Sequence, residues 1–217
     1  MIRILHEDQH LVVVDKPART LVVAAPGRPG HTLIDQLSRQ LGARTYAVHR
    51  LDEDTTGTLL VARTEAARTA LEEMFRQHQV QRVYLAVVER VPSPPAGTIE
   101  SLLVEGSDGV VRAARTGRGR RAVTHYRTVG REQGAVLVEC RLETGRRNQI
   151  RVHLAELGCP VVGDRKYGWR SRDRRRGQSL LLHAWRLAFA HPCTASDVDV
   201  IAPLPPSFPR VTARPSL

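Results

Sequence analysis

The residues of this chain best able to do chemistry are crowded into nine positions, HRLDEDTTG, residues 49–57. Asp52 and Asp54 flank Glu53, and Arg50 lies two residues upstream, so three carboxylates and one permanent cation share a single short stretch. Several roles suit such a group: a nucleophilic carboxylate, a general acid/base pair, a magnesium ligand, or a solvated acidic turn. Spacing alone favours the solvated turn, because charged turns are usually hydrated and nothing in the spacing singles out Asp52.

The surrounding pattern supplies a rigid frame for that stretch. Apolar β segments at 45–48 and 56–62 bracket it, and functional loops are commonly held by such scaffolding. Residues 2–5 and 10–15 read as short strands, the second ended by Lys16-Pro17, and Pro26 to Gly30 as a loop. Thr32 reads as the N-cap of a helix carrying Leu33, Ile34, Leu37 and Leu41, closed by Gly42. Thr64 caps a second helix with Ala67, Leu71, Met74 and Phe75 on one face, and residues 81–88 form a strand. From Ser93 to Gly134 the chain reads as strands and turns, with Pro92, Pro94 and Pro95 as a joint. A strand at 135–142, a helix at 148–157 closed by Gly158, and a strand at 180–189 follow. The expected fold is α/β (α+β), a mixed and mostly antiparallel central sheet flanked by helices. It is expected to form one domain over residues 1–217, with a Pro-rich tail from about 203.

Charge narrows the partners. Lys and Arg number 33 against 22 Asp and Glu, a net charge of +11, and all but Lys16 and Lys166 of the basic residues are arginine. A polyanion is the natural partner, although genome composition enriches arginine equally well. The nine aromatic residues are too few for a platform that stacks successive bases. No run of 18 apolar residues provides a membrane span, and MIRILHEDQH does not read as a secretory signal, which points to the cytoplasm. Cys140, Cys159 and Cys193 form no CxxC and read as buried free thiols; no metal-ligand spacing is present. Two basic stretches, 112–121 and 165–176, are by default solvated faces, and against a polyanion become phosphate contacts.

Longer blocks carry a resemblance. HRLDEDTTG resembles the HRLDxxTSG motif of the RluA-like family of RNA pseudouridine synthases, with Thr56 for the usual Ser. RVYLAVVE (82–89) is similar to the K-x-Y-x-A-x-V strand of that family, with Arg82 where Lys is common. ETGRRNQIRVHLAELGCPVVGDRKYG (143–168) is similar to its TGRxHQIRVHLxxxGxPIxGDxxYG block. ILHEDQHLVVVDKPA and LLLHAWRLAFAHP also match, so the likeness runs from about Ile4 to Pro203.

The resemblance implies the pseudouridine synthase fold with a catalytic cleft across the sheet, and a cofactor-free, metal-free isomerisation of uridine in ribosomal or transfer RNA. Asp52 would be the covalent or nucleophilic carboxylate, Tyr84 would lie against the uracil ring, and Arg151 would pair with Asp52 to keep it anionic. Arg50 would fill the space left by the flipped base, an extrusion costing about a few kcal/mol. His49, Arg146, Arg147 and Asn148 join Arg118, Arg120, Arg121, Arg174 and Arg175 as expected RNA contacts. Taken without the resemblance, Tyr84 reads as a core residue and Arg151 as an exposed helical arginine, although the polar TGRRNQ entry tilts the latter inward. Asn148 departs from the usual histidine and should tune rather than abolish activity. No S4-like RNA-binding segment is recognised, so the catalytic domain is expected to grip RNA by itself, as a monomer. The competing readings are a catalytically silent RNA-binding or ribosome-assembly factor and, more weakly, a metal-dependent nuclease built on Asp52, Glu53 and Asp54.

Overall fold

A computed structural model describes residues 1–25, 30–114, 117–132, 134–168 and 179–209. The expected contacts Arg174 and Arg175, and the end of the expected tail from 210, lie outside the described residues. The described chain divides into two compact units. The first comprises Met1–Arg82 and His183–Leu204; the second comprises Val83–Leu182 and the described residues after Leu204.

The first unit is built from β1 (Arg3–Glu7), β2 (Leu11–Lys16), α1 (Leu33–Leu41), β3 (Tyr46–Ala47), β4 (Thr56–Ala62) and α2 (Glu65–Arg76). Strand β2 lies antiparallel between β1 and β4, with Lys16 opposite Gly57. The apolar run of β2 is buried on both faces, as the centre of a sheet requires. Both expected N-caps form. Thr32 and Asp35 make a reciprocal capping box, and the Thr64 side chain accepts from the Ala67 backbone N–H. Gly42 takes the left-handed conformation that ends α1. The amphipathic face of α2 places Ala67 and Leu71 in a core with Leu11, Val13, Leu60 and Ala62.

The second unit opens with β5 (Gln81–Val88), whose first two residues belong to the first unit. It continues through β6 (Ala96–Glu105), β7 (Val111–Ala113), β8 (Arg120–Glu132), β9 (Ala135–Leu142) and α3 (Gln149–Glu156). Its strands run antiparallel in the order β5-β9-β8-β6-β7. The chain then supplies β10 (Leu182–Ala190) and β11 (Asp197–Ile201). In the first unit β10 pairs in parallel with β4 and antiparallel with β11. The described residues form the expected mixed, mostly antiparallel architecture, with three helices among them.

Strand β11 is not expected from its residues, because Asp197 and Asp199 are poor strand formers. It holds because Val198 and Val200 enter the core while Asp199 accepts from Arg186 Nε on β10 at 2.7 Å. Within the expected tail, Phe208 is buried and its N–H donates to Pro205 C=O at 2.9 Å. Cys140 and Cys159 are buried free thiols as expected, whereas Cys193 is exposed because it sits in the turn between β10 and β11.

Candidate active site

In the first unit the acidic segment forms a tight turn. The Asp52 carbonyl accepts from Thr55 N–H at 3.1 Å, and buried Leu51 and Thr55 pin the turn on either side. Asp52 and Glu53 are half-buried between these anchors, while Asp54 is exposed. Beneath the turn lies Lys16, the last residue of β2, with a side chain fully enclosed. Its Nζ donates to Pro17 C=O at 2.9 Å and Glu53 C=O at 2.8 Å, and Thr20 N–H also donates to the Glu53 carbonyl. Burial pushes the Lys16 ammonium down to about 8, against the opposing pull of Asp54, Asp52 and Glu53. In sequence Lys16 reads only as the end of a strand. Its one signal is rarity, as one of two lysines in an arginine-rich chain, and that does not distinguish it from exposed Lys166.

The two ends of the segment are fixed to the framework. His49 Nε2 accepts from Leu60 N–H at 2.9 Å, and its ring stacks on Phe75 with centroids 4.5 Å apart. Burial, and secondarily the charge of Arg82, lowers the imidazole to about 3, so it is neutral and carries its proton on Nδ1. The imidazole expected among the RNA contacts is thus held as an anchor of the turn. At the other end the Thr56 hydroxyl meets His183 Nδ1 at 2.7 Å, and Gly57, at φ +106°, lies against the Ala184 backbone. Arg50, between the anchors, is exposed.

In the second unit Tyr84 stands in register with Cys140, which pairs in turn with Tyr126, so the three share one sheet face. Tyr84 is only 8% exposed. Helix α3 turns Arg151 inward. Its Nε and Nη2 donate to the two oxygens of Asp164 at 2.7 and 2.9 Å, a bidentate pair in which Asp164 is wholly enclosed. Asp164 Oδ1 also accepts the backbone N–H groups of Lys166 and Tyr167. The TGRRNQ entry owes its shape to Gln149. That side chain accepts from the Thr144 hydroxyl and Arg146 N–H, and donates to Val123 C=O and the Thr124 hydroxyl on β8. Sequence reasoning misses both Asp164 and Gln149; each lies inside the 143–168 block, but nothing in their spacing predicts which groups they hold.

The expected basic contacts divide by their partners. Arg121 pairs with Glu100 and Glu143, and Arg147 with Glu105. Arg146 Nε donates to the Arg121 carbonyl. Arg118 and Arg120 are exposed and make no ion pair among the described residues. Asn148 is 7% exposed and turned toward Arg151 and Tyr167. Among the described residues no group of three or more His, Cys, Asp or Glu is arranged to hold a metal ion, and no helix is long and apolar enough to cross a membrane.

A mixed sheet with this arrangement is the pseudouridine synthase fold. Human RNA pseudouridylate synthase domain containing 4 superposes with a TM-score of 0.79 at 28% identity, over 94% of this chain and 89% of that one. Residues 10–156 match the family described as RNA pseudouridylate synthase, and the chain belongs to that family of RNA-modifying isomerases. The ribosomal large subunit pseudouridine synthase D of Xylella fastidiosa is 40% identical over 93% of this chain and 66% of its own length. The protein of the same name from Zymomonas mobilis is 38% identical over 94% of this chain and 69% of its own. The chain thus spans about two thirds of the length of these relatives.

Proposed function

We propose that this protein converts specific uridines of large-subunit ribosomal RNA to pseudouridine in the cytoplasm, acting as a monomer without cofactor or metal. The observation that carries the reading is the family match over residues 10–156, which includes Asp52, Tyr84 and Arg151. Asp52 serves as the reacting carboxylate, presented by a turn that Lys16, His49 and Thr56 hold at three points. Tyr84 supplies an enclosed phenol ring for the extruded uracil, and Arg151 a permanent cation whose orientation is fixed by Asp164. Arg50 occupies the vacated stack, and exposed Arg118 and Arg120 contact phosphates. The large-subunit assignment follows the names of the relatives in Xylella fastidiosa and Zymomonas mobilis.

The test is tritium release from RNA labelled at uracil carbon 5, using RNA from a strain lacking the gene, with pseudouridine mapping in ribosomal and transfer RNA. Asp52→Asn should abolish release while RNA binding persists. Release at the wild-type rate from Asp52→Asn refutes the carboxylate's role. Modification confined to transfer RNA refutes the substrate assignment, and a cellular role that survives Asp52→Asn favours a silent RNA-binding factor.

A further inference from the structure

The residue at which this chain departs from the pattern it resembles has a different task from the one its sequence suggests. Asn148 immediately precedes α3 in the left-handed conformation, φ 56° and ψ 17°, a region asparagine tolerates better than most residues. An asparagine at a helix start ordinarily caps the first-turn N–H groups, yet this side chain makes no such bond. It is also buried, which removes it from the surface that phosphates reach.

Its amide is used on both edges. Oδ1 accepts from Arg151 Nη1 at 3.1 Å, and Nδ2 donates to the Tyr167 hydroxyl oxygen at 2.8 Å. Tyr167 is in turn bound to Arg151 by its ring, 5.1 Å from the guanidinium carbon, and its backbone N–H donates to Asp164. Asp164 closes the circuit through Arg151 Nε and Nη2. Arg151 is therefore gripped on one edge by a carboxylate, on an adjacent nitrogen by an amide, and over its face by a phenol. Val111 N–H, which donates to the same Tyr167 oxygen at 3.3 Å, ties the phenol to β7.

We infer that Asn148 is a positioning residue for Arg151, joining the guanidinium to Tyr167 so that the cation is held in one orientation. The inference rests on the proposed role of Arg151 in the reaction. An amide suits the position because it offers an acceptor to the cation and a donor to the phenol without adding charge. An aspartate there would add a negative charge and lose the donor. A protonated histidine would set a second cation against Arg151.

The experiment separates positioning from RNA contact and from simple stability. Asn148→Ala is compared with wild type for kcat, KM for RNA and the salt dependence of binding, with folding followed by thermal unfolding. Positioning predicts a fall in kcat of about tenfold, with KM and the salt slope unchanged, because a hydrogen bond to a charged group is lost. Tyr167→Phe, which keeps the ring and removes the oxygen, should lower kcat less. The double variant should be no worse than Asn148→Ala, because both changes act through Arg151. Asn148→His should restore much of kcat at high pH and lose it as the imidazole protonates. A raised KM with a shallower salt slope, unchanged kcat in a folded Asn148→Ala protein, or additive losses in the double variant would each overturn the inference. A readout independent of turnover is the side-chain nitrogen spectrum of Arg151. In Asn148→Ala the Nη1 signal, which loses its acceptor, should shift and exchange faster with solvent, while the Asp164-bound Nε and Nη2 signals stay in place; identical spectra refute the positioning even if the wild type proves inactive on RNA. Inactive wild type with the expected spectral change instead refutes the functional reading alone.

Discussion

Lys16 offers the sharpest test of how the acidic turn is built, because its burial gives stability an unusual dependence on pH. The ammonium is fully enclosed, and burial lowers it from the ordinary 10.5 to about 8. Between these values the unfolded chain binds the proton and the folded chain does not, so stability rises as pH increases through that window. The contribution is complete above 10.5 and is lost as pH falls through 8. A shift of this size corresponds to roughly 3 kcal/mol. Lys16→Met removes the titration and also the two donors that hold the Pro17 and Glu53 carbonyls. Glu53 retains Thr20 N–H, so the lost bonds cost about 1–3 kcal/mol in all. Near pH 7 that loss is offset by no longer burying a charge, and the two proteins should have similar stability. At pH 10.5 the wild type should be the more stable by about 1–3 kcal/mol. The assay is urea unfolding of both proteins at several pH values from 7 to 10.5, read as a difference so that other titrating groups cancel. A difference that stays flat above pH 8 would refute the account of Lys16 as a buried ammonium beneath the turn.

Other perturbations test the remaining supports. Asp164→Ala removes the carboxylate from the guanidinium of Arg151 and from two backbone N–H groups, and should cost about 3–5 kcal/mol in denaturant unfolding; a loss below about 1 kcal/mol would mean that water replaces the carboxylate. Gly57→Ala puts a Cβ 2.2 Å from the Ala184 carbonyl oxygen at a φ of +106°, and should cost at least about 2 kcal/mol of stability; a neutral effect would show that β4 and β10 separate readily. Thr32→Ala removes one half of the capping box on α1 and should lower stability by about 1 kcal/mol, measurable as a shift in the urea midpoint. Replacing Arg118 and Arg120 by Gln should reduce the log–log salt slope of single-stranded RNA binding by about 0.7 for each phosphate no longer neutralised, and an unchanged slope would return both to the solvated surface.

Local chemistry makes much of the frame legible. Thr32 and Thr64 announce helix starts because their hydroxyls satisfy N–H groups within the same turn. Strands β5 and β9 coincide with the ranges read from 81–88 and 135–142, since an unbroken apolar run bounded by polar residues leaves few alternatives. Strand β11 is hidden from such reading because its stability depends on Arg186 and on a core assembled from distant segments. The basic clusters are equally opaque. Charge counts cannot tell Arg121, paired with Glu100 and Glu143, from its equally exposed neighbour Arg120.

The sequence by itself determined the family, through motifs whose order spans most of the chain, and nominated Asp52, Tyr84 and Arg151. Only the tertiary structure decided what holds two of them in place. Lys16 meets Glu53 across 37 residues, Arg151 meets Asp164 across 13, and Asn148 meets Tyr167 across 19. Such partners are set by the register of strands and the burial of polar groups that must then be satisfied, not by any local preference. The same constraint gives Asn148, expected as a surface contact for RNA, partners in the framework: once enclosed, its amide has to find a donor and an acceptor within the protein.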